Sequence, residues 1–197
     1  MSAPPLSSDT EARLRAYADL LASWTRRINL VSAADQASIW TRHVQDSLRL
    51  APLVPAGTPR AIDLGSGGGL PGLVLAIATG VPFELVEADR RKCAFLMEAA
   101  RLTRAPVRVH TARIESCGLE PAPLITARAL APLPALLALA TPLLAPGGVL
   151  LLPKGARSAE ELAAARETWS FTLDTEGTAD TPILIIRHPA RKVPAHV

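Results

Sequence analysis

The chain has 197 residues, 49% of them apolar, with 21 Lys and Arg against 18 Asp and Glu. That is enough for one core with an appendage, and two cysteines without metal-like spacing, Cys93 and Cys117, exclude a disulfide framework and make a reducing cytoplasm the expected compartment. A net charge of +3 with a calculated pI of about 9.3 hints at a polyanionic partner.

Met1 to Ser8 is polar and Pro-containing, unlike an Arg-rich leader. Ser8-Asp9 caps a first helix that runs to about Arg27, with Leu14, Tyr17, Leu21, Trp24 and Ile28 on its core-facing side. Asn29-Leu-Val-Ser32 reads as a turn and cap. A second helical stretch follows, with Ile39, Trp40, Val44, Leu48 and Leu50 on its apolar face, and it carries Arg42, His43, Asp46 and Ser47. His43 and Asp46 are three apart and can meet on one helix face; without a nearby nucleophile the pair reads as a local hydrogen bond. Pro52, Pro55, Gly57 and Pro59 form a linker.

Arg60 to Leu64 reads as a short buried strand stopping at an acid, Asp63. Gly65, Gly67 and Gly69 follow at alternate positions, and Pro71 opens an apolar helix from Gly72 to Thr79. This strand–turn–helix corner is the one that cradles nucleotides in open α/β sheets. Its glycines have two readings. Gly67-x-Gly69-x-x-Gly72 matches the dinucleotide fingerprint, while Asp63-x-Gly65-x-Gly67-x-Gly69 looks like the first motif of S-adenosylmethionine (SAM)-dependent methyltransferases. About 20 residues on, Phe83 to Glu87 is a second strand ending in a carboxylate, where this fold holds a ribose diol. Asp89 is the rival, but it better fits the cap of the next helix.

That helix runs from Arg90 to Arg104, with Phe95, Leu96, Ala99 and Leu102 inward, Arg90, Arg91, Lys92 and Arg101 outward, and Cys93 packed. Val107 to His110 is the third strand, followed by a short loop, Ala112 to Glu115. Pro123 to Ala127 is the fourth, ending at Arg128. Ala129 to Leu152 carries no charge, but four prolines and Gly147-Gly148 interrupt it, so it reads as loop, buried helix and buried strand rather than a membrane span. Val149 to Leu152 is the fifth strand, leading into Pro153-Lys154-Gly155. A polar helix, Arg157 to Glu167, precedes two final strands, Trp169 to Asp174 and Pro182 to Arg187, an antiparallel pair at the edge. The expected division is an N-terminal helical extension packed on the core (1–58), the core (59–187) and a mobile basic tail (188–197).

Alternating strands and helices give an α/β fold with a mostly parallel sheet, whose ligands bind beyond the carboxyl ends of the strands. The Gly loop, Glu87, Ile114-Glu115, Arg128 and Lys154 all follow strand ends and so converge on one rim.

On these residues the chain resembles a known family. Asn29-Leu-Val-Ser32, Arg42-His-x-x-Asp-Ser47, Asp63-Leu-Gly-Ser-Gly-Gly-Gly-Leu-Pro-Gly72, Arg113-Ile-Glu115, Thr126-Ala-Arg-Ala129 and Leu152-Pro-Lys-Gly155 together look like the RsmG (GidB) family. Its members are bacterial methyltransferases that make 7-methylguanosine in small-subunit ribosomal RNA. The likeness runs in register from about Leu20 to about Arg187. It implies a Rossmann-like fold with a seven-stranded sheet whose last strand is antiparallel, SAM as methyl donor, and cofactor contacts at Gly65, Leu70, Ile114, Glu115 and Arg128. Two departures matter. Glu87 stands where Asp is common, which lengthens the reach, and the basic tail is short.

The residue chemistry agrees. Gly65, Gly67 and Gly69 would bring N–H groups at a helix start to the methionine carboxylate. Glu87 would take the ribose, and Ile114 N–H with the Glu115 carboxylate the adenine edge. Arg42, Arg128 and Lys154 are the substrate-binding candidates, for phosphate or guanine O6; Arg128 and Lys154 equally suit structural ion pairs. No side chain is given a catalytic role and no metal site is expected, because guanine N7 already has a free lone pair. The Asn/Asp-Pro-Pro-aromatic run of exocyclic-amine methylases is replaced by Ala127-Arg-Ala-Leu, and neither cysteine suits pyrimidine chemistry. A dehydrogenase lacks room for a substrate lobe, and a plain RNA-binding module lacks stacking aromatics. The expected partner is small-subunit ribosomal RNA or an assembling ribosomal particle, with no membrane and a monomeric protein.

Overall fold

In the computed structural model, which describes residues 6–193 (the side chains of 33 and 34 excepted), seven strands form one sheet. They are β1 (Ala61–Leu64), β2 (Phe83–Glu87), β3 (Val107–Thr111), β4 (Ala122–Ala127), β5 (Leu144–Pro153), β6 (Trp169–Thr178) and β7 (Thr181–Arg191). Their order across the sheet is β3-β2-β1-β4-β5-β7-β6. The first five strands are parallel neighbours, and β7 runs antiparallel to both β5 and β6.

Central strands β1 and β4 are buried on both faces and apolar apart from Asp63 and Thr126. Alternation assigns the faces. Val149, Leu151, Ile183 and Ile185 join the core formed with α1 (Ser8–Thr25), α3 (Gly72–Thr79) and α4 (Arg90–Thr103). Leu150, Leu152, Leu184 and Ile186 join the other, with α5 (Leu133–Ala140) and α6 (Ser158–Thr168). Leu14, Tyr17 and Leu21 of α1 are fully buried in the first core, which α1 shares with α3 and α4. Among the described residues no helix is long and apolar enough to cross a membrane.

Several boundaries differ from the sequence reading. The cap of α1 is Ser7, whose hydroxyl accepts from the Thr10 N–H, and α1 ends at Thr25. The second helical stretch is not one α-helix. It is a 3-10 turn (Ala33–Ser38), a π-helical turn (Trp40–Gln45) and a single α-turn, α2 (Asp46–Leu48). Leu102, expected inward, is 46% exposed. The final two strands are an antiparallel pair at the sheet edge as expected, and within the pair it is β7 that lies next to β5, with β6 outermost. The reason is burial. Pro182 to Ile186 is an unbroken buried run that needs neighbours on both sides, whereas β6 alternates from Trp169 to Leu173 and suits an edge. Residues 188–191, expected in the tail, belong to β7, where Ala190 and Arg191 pair with Ser170 and Trp169. Residues 1–5 of the polar start and 194–197 of the tail lie outside the described residues.

Candidate active site

The Gly loop leaves β1 at Leu64 and enters α3 at Gly72. Its glycines serve different ends. A Cβ on Gly69 would lie 2.9 Å from Leu73 Cβ, and one on Gly65 would lie 2.6 Å from Leu130 Cδ1, so both are packed against side chains. Gly67 differs. Its φ is +53°, and a Cβ there would meet nothing nearer than the Gly65 carbonyl oxygen at 3.8 Å, so this residue keeps an open face. Leu70 is 8% exposed and packs with the core, which leaves only its backbone for any ligand.

Directly beneath lies Asp63, fully buried. The Thr126 hydroxyl of β4 donates to its Oδ1 at 2.5 Å, while Oδ2 has no close hydrogen bond. A Cβ on Gly72 would fall 2.6 Å from Asp63 Cγ, so α3 begins against this carboxylate. Burial pushes the Asp63 carboxyl up to about 6, against the opposing pull of Thr126, Ser66 and the Gly72 amide, with the Glu87 charge adding to the rise.

The loop amides expected at the helix start already have partners within the chain. The Ser66 N–H donates to Val86 O at 3.1 Å, and the Gly69 and Leu70 N–H groups donate to Ser66 O at 2.6 and 3.2 Å. The Gly67 N–H donates to Glu87 Oε2 at 3.0 Å. These amides make their bonds within the corner itself, and the start of α3 packs against the chain's own acid, Asp63.

Glu87 ends β2 half-buried, its Oε1 accepting from the Asp89 N–H at 2.9 Å. Each oxygen has one such partner and a lone pair to spare. Asp89 does cap α4: its carboxylate accepts from the Arg91 N–H at 2.8 Å and pairs with Arg91 Nη2 at 3.1 Å. Those bonds, the Arg91 side chain first, hold its carboxyl down at about 2. After β3, Ile114 and Glu115 open a 3-10 turn (Ile114–Ser116), Ile114 half-buried and Glu115 exposed.

Beyond the ends of β4 and β5 lies a groove of about 810 Å³, lined by Arg42, His43, Asp46, Arg128, Lys154 and Glu161 among others. Arg128 holds its wall together. Its Nη2 donates to His43 Nδ1 at 3.0 Å and to the Arg42 carbonyl at 3.3 Å, and its Nη1 lies 3.4 Å from Asp46 Oδ2. Burial, then the Arg128 charge, lowers the His43 pKa below its ordinary 6.5, so the ring is neutral at pH 7. Because Nδ1 accepts, the proton sits on Nε2, which faces Asp35 Oδ2 at 3.7 Å.

The expected His43–Asp46 bond is therefore not made. Asp46 pairs with Arg49 at 2.8 Å and with Arg128. Wider π-helical winding turns residues three apart away from each other, which α-helical spacing does not anticipate. Lys154 is also committed, its Nζ lying 2.7 Å from Glu161 Oε2 with a side chain only 10% exposed. Arg42 alone of the three substrate candidates is largely in solvent, paired loosely to Asp35 at 3.3 Å. Sequence reasoning missed Asp35 and Glu161. Asp35 carries a local signal, since the Ser32 hydroxyl three residues back bonds it at 2.6 Å; Glu161, seven residues beyond Lys154, carries none.

A Gly-rich turn after the central strand, a carboxylate ending the next, and an antiparallel strand inserted beside the fifth define the Rossmann-like methyltransferase architecture. The fold is similar to that of the ribosomal protein L11 methylase of Lactobacillus delbrueckii subsp. bulgaricus (TM-score 0.62, 14% identity, covering 77% of this chain and 79% of that one). It is also similar to an O-methyltransferase from Bacillus cereus solved in complex with SAH (TM-score 0.56, 16% identity, 92% and 91%).

The sequence specifies the family. Residues 10–180 match GidB, rRNA small subunit methyltransferase G, and the chain belongs to that family. It is 52% identical over 167 residues to ribosomal RNA small subunit methyltransferase G of Gluconobacter oxydans (85% of this chain, 86% of that protein). It is 56% identical over 161 residues to the protein of the same name from Acidiphilium cryptum (80% and 74%). The cofactor is SAM, and the open face of Gly67 beside the Glu87 carboxylate fits a nucleoside there.

Proposed function

We propose that this chain transfers a methyl group from SAM to N7 of a guanosine in small-subunit ribosomal RNA. The observation that carries the reading is one rim holding both the Gly67–Glu87 corner and the groove around Arg128. SAM supplies a methyl group activated by its sulfonium. Glu87 holds the ribose, and Ile114 N–H with Glu115 holds the adenine. Arg128 stands between the two halves of the site.

The chain has to orient the guanine rather than deprotonate it, since N7 offers its lone pair at neutral pH. His43 is neutral with Nδ1 engaged by Arg128, which suits a positioning part and not that of a general base. Arg42 and Arg128 serve O6 or phosphate and stay clear of N7, where a cation would block attack. The reading goes with a monomer in the cytoplasm acting on free RNA or on an assembling particle.

The test is incubation with labelled SAM and total ribosomal RNA, with and without ribosomal proteins. Label recovered as 7-methylguanosine from small-subunit RNA is the expected result. SAM binding without transfer to either substrate would overturn the reading in favour of a non-catalytic RNA-binding module.

A further inference from the structure

Helix α4 opens with three successive cations, Arg90, Arg91 and Lys92, and has no acid in its first turn. The start of a helix carries partial positive charge, so cations there are unfavourable. Only Arg91 is compensated, by Asp89. The end of α1 adds to the cluster. The two helices run antiparallel: Arg13 Nε donates to the Thr103 carbonyl at 2.7 Å near one end, and the Trp24 and Phe95 rings lie 5.8 Å apart towards the other. Arg26 and Arg27, just past Trp24, are thereby brought to the rim where α4 begins. Arg26, Arg27 and Arg90 are exposed and Lys92 is half-buried. Among the described residues none of the four has an acid within 4.0 Å, a distance that takes in every ion pair found.

The contrast with the groove is informative. There Arg49, Arg128 and Lys154 are each matched by Asp46 or Glu161. Of the cations lining the groove, Arg157 alone has no acid within 4.0 Å among the described residues, whereas four such cations stand together on the other side of the Gly loop. The end of α1 borders that loop, since a Cβ on Gly68 would lie 3.2 Å from Leu21 Cδ1 and 3.6 Å from the Leu30 carbonyl oxygen. The start of α4 follows β2, two strand spacings from β4, or roughly 10 Å. A few nucleotides span that distance.

We propose that Arg26, Arg27, Arg90 and Lys92 form a second contact surface for the phosphate backbone of the substrate RNA, across the cofactor corner from the groove. The proposal rests on the reading of the chain as an RNA methyltransferase. A polyanion answers both features of the cluster, its lack of acids and its unfavourable place at a helix start. It also gives the RNA two anchors, so that the target base lies between them and over the methyl donor.

The experiment compares the wild-type protein with Arg26→Gln/Arg27→Gln/Arg90→Gln/Lys92→Gln. Affinity for a small-subunit ribosomal RNA fragment is measured against salt, alongside SAM affinity and melting temperature. Replacing four phosphate-binding cations should lower the slope of log affinity against log salt by about 2–3 and weaken binding at low salt on the order of 10- to 100-fold. SAM affinity should not change, and Arg90→Gln/Lys92→Gln alone should melt no lower than wild type, since two cations leave a helix start. A wild-type slope in the quadruple variant overturns the surface, and a lower melting point in the double variant overturns it by showing that these cations serve the fold. If the wild type methylates the RNA while the quadruple variant keeps its slope, only the surface fails; if the wild type neither binds nor methylates it, the function fails as well.

Discussion

The Thr126 hydroxyl donates to Asp63 Oδ1 at 2.5 Å, tying β4 to β1 beneath the Gly loop. It is one strong bond for a carboxylate with no exposure at all. Burial outweighs it, and the Asp63 carboxyl rises to about 6 from an ordinary 3.8. The folded protein therefore holds this proton more tightly than the unfolded chain does. Stability from this group is fully present below about pH 4 and is lost as pH rises through 6, up to ~3 kcal/mol for a shift of this size. Asp63→Asn should remove that slope. His43 acts oppositely, its lowered pKa adding stability as pH rises towards 6.5, so the difference between the two proteins isolates Asp63. Urea titrations from pH 4 to 7.5 check it; parallel curves would mean that Asp63 ionises normally.

Gly67 and Gly72 should separate binding from folding. Gly67→Ala has space for its methyl but fills the open face, so SAM affinity should drop at least tenfold, while the positive φ of +53° costs the fold only about 1–2 kcal/mol. Gly72→Ala drives a Cβ to 2.5 Å from Asp63 Cβ, buried on both sides, and should cost ~1–3 kcal/mol of stability. Calorimetric SAM titrations and denaturant melts on both variants distinguish the two effects.

Glu87 and Asp89 should separate in the same way. Glu87→Ala loses a charged hydrogen bond to the ribose and should weaken SAM binding by ~1.5–3 kcal/mol. Asp89→Ala loses the α4 cap instead, lowering the melting temperature and sparing SAM affinity. The reverse order in isothermal titration would transfer the ribose to Asp89.

Lys154 should behave as a tie between elements. Glu161 Oε2 accepts both from Lys154 and from the Leu133 N–H that starts α5. Lys154→Gln should cost ~1–3 kcal/mol of stability and leave the salt dependence of RNA binding at its wild-type slope. A flatter slope with unchanged stability would return Lys154 to the RNA contacts.

Burial and the Arg128 charge lower the His43 pKa and Arg128 engages its Nδ1, so His43 should carry no proton in the chemical step and single-turnover methylation should vary little from about pH 6 to 8.5. His43→Gln at saturating RNA should keep the chemical step. A tenfold loss through a histidine-like ionisation, abolished in that variant, would make His43 a proton carrier.

What could be read from the sequence was what neighbouring residues decide among themselves. The Gly loop, the cap at Asp89 and the apolar strands up to Leu152 follow from backbone freedom and burial over a few positions. What could not be read depends on distant partners. The place of β7 between β5 and β6 is a matter of which strand can be covered on both faces. The company of His43 is set by Arg128, 85 residues later, and by a π-turn that no spacing rule signals. Lys154 looked available to RNA because Glu161, its partner from the next helix, is a choice of packing and not of pattern.

The Tyr17 hydroxyl, which donates to the Gly68 carbonyl at 2.5 Å, bears on the order in which the protein is made. Helix α1 leaves the ribosome before its partners, since its anchor in the Gly loop is 51 residues further on and its hold on the end of α4, through Arg13, is 90. It must wait, with Leu14, Tyr17 and Leu21 unsheltered, until more than half the chain has emerged. An element made ahead of its partners is thus late to dock, and during synthesis its apolar stripe is the exposed surface that chaperones would meet.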